Sequence, residues 1–106
     1  MQKYLLNMEM DVADEGYAVL LTVINEDTYN KLRKSKVAAN WGQMVDDPEY
    51  ISFSDIEDGR QCFSGNRILV IPVTDAEVKL LERLNVYASA GCFYFLDENG
   101  EDFDID

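Results

Sequence analysis

The chain has 106 residues, with 21 acids against 9 bases, a formal charge of −12, two Cys, two Pro and no His. The length sets one domain, 1–106, and a 47% apolar content supplies a core for it. The lack of His removes the usual general base, the Ser–His and Cys–His nucleophile pairs and the commonest metal ligand, and the acid surplus opposes direct contact with nucleic acid or anionic lipid.

Tyr4, Leu6, Met8, Met10 and Val12 alternate with Asn7, Glu9 and Asp11, which predicts a strand with the first set on its buried face. Ala13–Gly16 reads as a turn. Tyr17, Val19, Leu21 and Val23 continue the alternation and predict a hairpin with one apolar face. Asn25 is placed as the N-cap of a helix that leads with Glu26 and Asp27, trails with Lys31, Arg33, Lys34 and Lys36, and ends near Val37. Its apolar stripe, Tyr29 and Leu32, is thin, so the helix is expected on the surface with one side against the sheet.

Residues 38–66 are short apolar pieces separated by Trp41-Gly42, Asp46-Asp47-Pro48-Glu49 and Asp58-Gly59. Tyr50–Phe53 is expected as a short strand, and Ser54-Asp55-Ile56-Glu57 has capping-box spacing for a single helical turn. Arg67–Val73 is a β-branched run that predicts a central strand whose ladder ends near Pro72. Thr74-Asp75-Ala76-Glu77 is a capping box, Val73 and Val78 are spaced for a hydrophobic staple, and Val78, Leu81 and Leu84 with Leu80 form the stripe of a helix over 75–84. From Tyr87 the chain returns to strand. Asn99-Gly100 predicts a two-residue hairpin turn that sets Glu98 opposite Glu101, Asp97 opposite Asp102 and Leu96 opposite Phe103. The order of elements predicts α+β: a largely antiparallel sheet of about five to six strands with two helices packed on it.

No catalytic, cofactor or metal motif emerges. Cys62 and Cys92 lack the C-x-x-C spacing of zinc and dithiol sites and, lying in apolar runs, are expected to be buried, reduced thiols. Asp97–Asp102 alternates oxygen ligands like a calcium loop, but Asp102 stands where the loop needs Gly. Trp41 reads as a core plug, with an exposed anchor for a partner as the alternative. With neither a leader pattern nor an apolar stretch long enough to span a bilayer, the expectation is a soluble protein of the reducing cytoplasm.

Charge carries the functional signal. Asp97, Glu98, Glu101, Asp102, Asp104 and Asp106 lie in the tail without a base, and Asp46, Asp47, Glu49, Asp55, Glu57 and Asp58 cluster in the middle, also without one. Folding does not ask for such crowding, since like charges facing each other across a hairpin destabilise it. A surface prepared for a basic partner does, because complementary charge speeds encounter and can imitate phosphate spacing. In size and charge, though in no motif, the chain is similar to small acidic immunity proteins of nuclease toxins and to phage-encoded DNA-mimicking inhibitors. The expectation is therefore a noncatalytic binding protein that blocks or regulates a basic, nucleic-acid-handling protein by occupancy, with Tyr50, Phe103 and Trp41 adding affinity to the acids of both clusters. The alternative is a self-associating structural or accessory protein whose acids only supply solubility.

Overall fold

The computed structural model describes residues 1–12, 14, 16–41, 48–53, 61–62 and 66–105, with backbone alone at 61 and 62. In chain order the elements are β1 (Lys3–Asp11), β2 (Tyr17–Asn25), α1 (Glu26–Leu32), β3 (Lys36–Asn40), β4 (Ile51–Ser52), β5 (Gln61–Cys62), β6 (Asn66–Val73), α2 (Asp75–Leu84), β7 (Ala88–Ala90), β8 (Cys92–Leu96) and β9 (Asp102–Phe103). Among the described residues all strand pairs are antiparallel. The class is α+β with two helices among the described residues, but the single sheet expected from the sequence is divided into two, β5-β6-β1-β2-β7 and β4-β3-β8-β9.

The division starts at α1. Asn25 caps it as expected, its Oδ1 accepting the Thr28 amide at 2.8 Å, yet the helix stops at Leu32 and not near Val37. Ser35, almost fully buried, ends it by donating both its amide and its hydroxyl to the Leu32 carbonyl. Lys36, expected in the helix, instead opens β3, which starts the second sheet with Val37 and Ala38 buried. Tertiary burial of this strand overrides the helical reading of its charges.

Paired residues share a sheet face, so register fixes the core. Tyr4, Leu6, Met8 and Met10 pair with Ile24, Thr22, Leu20 and Ala18 on β2, and the first three of them with Pro72, Val70 and Ile68 on β6. Leu6, Met8, Ala18 and Ile68 are inaccessible to solvent. The core row of β2 is thus the even one and not the expected Tyr17, Val19, Leu21 and Val23; Tyr17 is 48% exposed. Both rows of β2 are apolar, so composition does not choose between them. The connection from Val12 to Gly16, closed by the Val12 amide on the Gly16 carbonyl, does. Against this face the second sheet packs Val37, Ala39, Phe93, Phe95 and Phe103, with Phe53 and Leu32 filling the remaining space and Tyr29 stacked on Tyr4 at 4.1 Å.

α2 spans the residues the sequence predicts, with both capping-box bonds formed: the Thr74 amide to Glu77 Oε1 at 2.9 Å and the Glu77 amide to Thr74 Oγ1 at 3.1 Å. Val73 and Val78 are both buried, as a staple requires. The stripe is narrower than predicted, because Leu80 and Leu84 are 49% and 60% exposed. α2 carries the chain from β6 to β7 past β1 and β2, and only its Val78 side is buried. Gly91, at φ +82°, then turns the chain from β7 in the first sheet into β8 in the second.

Candidate functional site

The tail hairpin departs by one residue from its predicted register. Phe95 pairs with Phe103 and Leu96 with Asp102, so Asp97 lies opposite Glu101, its amide donating to the Glu101 carbonyl at 2.8 Å. The cause is the Asp97 carboxylate. Its Oδ1 accepts the amides of Asn99 at 2.8 Å and Glu101 at 2.9 Å, while the Gly100 amide, at a positive φ of 80°, donates to the Asp97 carbonyl. This loop over 98–100, built on an Asx turn with Gly in the left-handed region, replaces the two-residue turn. The Glu101 amide, opposed by desolvation and helped by the Asn99 amide and the Lys31 ammonium, holds the Asp97 carboxyl below its ordinary range. The two acid–acid pairs expected across the hairpin reduce to one.

The slip re-sorts the tail between the two faces of the second sheet. Phe103 turns inward, 5.5 Å from the Phe95 ring, with the Lys31 ammonium 4.4 Å from its centroid. Phe103 is half-buried, with one side packed against the core. On the outer face, Lys36, Leu96, Asp102 and Ser52 occupy one row, and Ala38 and Tyr94 the next. Ala38 is 1% exposed, covered from outside although it points away from the core. Tyr50, one residue before β4, belongs to this surface. Its phenol is held above the ordinary tyrosine value by burial, then by the Asp102 carboxylate and by Tyr94.

The outer face therefore brings Tyr50 and Asp102 together, adds Tyr94, which sequence reasoning missed, and continues to Asp104, exposed one residue past β9. Strand alternation was the signal for Tyr94, since it lies between the core residues Phe93 and Phe95. Glu49 is exposed beside Tyr50. Trp41, expected to plug the core, is 41% exposed just beyond β3. Glu98 and Glu101 are exposed on the hairpin turn, and Asp97, Glu98 and Asn99 face Asn30, Lys31 and Lys34 of the α1 region across a shallow groove, so the protein's own cations lie against this part of the tail. Asp46, Asp47, Asp55, Glu57, Asp58 and Asp106, together with the helical turn predicted at Ser54, lie outside the described residues.

Cys92, expected to be buried, is a free and exposed thiol because it falls on the outer row of β8. Among the described residues no three Asp, Glu or Cys side chains converge as metal ligands would, and no helix is long and apolar enough to cross a membrane. Comparison with protein-family models, with curated proteins and with solved structures gave no match, so the site is argued from its own geometry.

Proposed function

We propose that the protein is a noncatalytic binder of a basic protein, blocking or regulating it by occupancy through the outer face of the second sheet. The observation that supports this reading is the joining of Tyr50, Tyr94 and Asp102 on one outward surface, with Asp104 and Glu49 at its margin. Aromatic rings that can be desolvated give affinity, and surrounding carboxylates give steering and reject acidic competitors. Trp41 is accessible as a further anchor. Asp97 holds the turn that presents Asp102, and is a positioning residue in this scheme. A partner of nucleic-acid-handling type fits a chain of charge −12, because such proteins carry basic surfaces built for phosphate.

The test is affinity capture on the immobilised chain from a lysate of its native host at low salt, with elution by rising salt. The expected result is retention of a basic protein by the wild type and its loss from Asp102→Asn/Asp104→Asn and from Tyr50→Ala, each checked for intact fold by circular dichroism. Equal retention by these variants would remove the face from consideration.

A further inference from the structure

Asn99 is followed by Gly100, whereas every other Asn of the chain precedes a larger residue: Met8, Glu26, Lys31, Trp41, Arg67 or Val86. In an Asn-Gly pair the side-chain carbonyl lies one five-membered ring away from the next backbone nitrogen. Attack on it needs no catalytic group, only an uncovered nitrogen and freedom to rotate. Gly supplies the first, having no side chain to shield its own amide. Both residues are exposed, and no atom beyond the chain neighbours stands within 4 Å of where a Gly100 Cβ would be. The Asn99 backbone amide is bonded, but its carboxamide makes no hydrogen bond among the described residues.

The freedom to rotate is withheld by Asp97. Its carbonyl accepts the Gly100 amide at 3.0 Å, and its Oδ1 accepts the amides on either side, Asn99 at 2.8 Å and Glu101 at 2.9 Å. The proton of the attacking nitrogen is thus engaged, and three successive amides are clasped by one residue. Ring closure has to swing the Gly100 nitrogen off the Asp97 carbonyl and onto Asn99 Cγ, so it requires a local opening of the loop.

We infer that Asn99 is a site of deamidation whose rate is set by the Asp97 clasp. In the opened loop the Gly100 nitrogen gives up its proton and bonds to Asn99 Cγ. The Cγ–Nδ2 bond breaks, and Nδ2 leaves as ammonia with a proton in place of that bond, which leaves a succinimide. Water then adds to one of the two ring carbonyls. Opening at Cγ gives aspartate, and opening at the main-chain carbonyl gives isoaspartate, whose main chain runs through the former side chain. The net change is one water in and one ammonia out, with no oxidant or reductant. Either product adds a carboxylate to a loop that already holds Asp97, Glu98 and Glu101. Isoaspartate also adds a methylene to the main chain between the two amides that Asp97 Oδ1 accepts, so the clasp does not re-form on it.

The test is incubation of the full chain at mildly alkaline pH, native and unfolded in guanidinium, followed by ion exchange and mass-spectrometric peptide mapping. The expected result is a product one negative charge richer, modified at Asn99, forming about tenfold or more slowly in the native chain because opening precedes attack. Asp97→Ala should recover most of that difference, while Asp97→Asn, which keeps an acceptor oxygen, should stay near the wild type. Thr74→Ala, which weakens the cap of α2 away from the tail, should leave the rate at Asn99 unchanged and so separates local opening from general loss of stability. Asn99→Gln, which would have to close a six-membered ring, should abolish the product. Equal rates in the native and unfolded chains, equal rates for the wild type and Asp97→Ala, or modification confined to other Asn residues would overturn the inference. The readout needs no partner, so it is independent of the docking face.

Discussion

A Cβ placed on Gly91 would stand 2.8 Å from the Cβ of Ala18 and 3.0 Å from the Asn40 carbonyl oxygen. Ala18 is fully buried on β2 in the first sheet and Asn40 ends β3 in the second, so Gly91 is pinched where the two sheets meet. Only glycine passes there, because its φ of +82° and the close backbone approach both exclude a side chain.

Gly91→Ala is accordingly expected to destabilise the fold by about 2–4 kcal/mol, from backbone strain together with overpacking. Gly16→Ala, at φ +106° with nothing within 4 Å of the added Cβ, carries the strain alone and should cost about 1 kcal/mol. Urea denaturation of both variants, compared at equal m-value, separates the two contributions. Equal midpoints for the two would show that the contact with Ala18 relaxes freely.

Asp97 should act as the lock of the tail hairpin. Its folded-state carboxyl titrates below the ordinary value of 3.8, so the stabilisation it gives is present above that value and is lost as pH falls through the lower, folded one. NMR of the Asn99 and Glu101 amides should therefore show a transition on the acid side of a free aspartate. Asp97→Ala should speed hydrogen exchange at both amides at neutral pH, whereas Asp97→Asn, which keeps an acceptor oxygen, should do so less.

For Tyr50 the sign is the opposite. Its phenol titrates above the ordinary tyrosine value of 10.0, so folding favours the neutral form, and that contribution is lost as pH rises above 10.0 through the folded value. Ultraviolet titration of Asp102→Asn should show a tyrosine ionising at lower pH than in the wild type, with burial keeping it above an exposed phenol. An unchanged titration would separate Tyr50 from the carboxylate and weaken the proposed docking face.

Thr74→Ala removes one half of the α2 capping box and should cost about 1 kcal/mol. Glu77→Ala removes the reciprocal bond to the Thr74 amide. Because the two bonds close one motif, the double variant should lose less than the sum of the single losses, which a double-mutant cycle by thermal or urea unfolding measures directly.

The strand alternation of β1 and the caps of both helices were legible in the sequence. The alternation of Tyr4, Leu6, Met8 and Met10 marked the core face of β1, and Thr74 with Glu77 marked the start of α2, because both signals depend on neighbours along the chain. The excess of acid, and the absence of any His-based chemistry, follow from composition alone. The face of β2, the split into two sheets and the assignment of Tyr50, Tyr94 and Asp102 to one surface could not be read this way. Both rows of β2 are apolar, the Val-Ala-Ala of β3 carries little strand preference, and a single carboxylate at Asp97 shifts the tail by one residue and turns Phe103 inward. Strand register is a long-range choice with a period of two, so a contact far along the chain, or one extra loop residue, decides which side chains meet the core and which face outward.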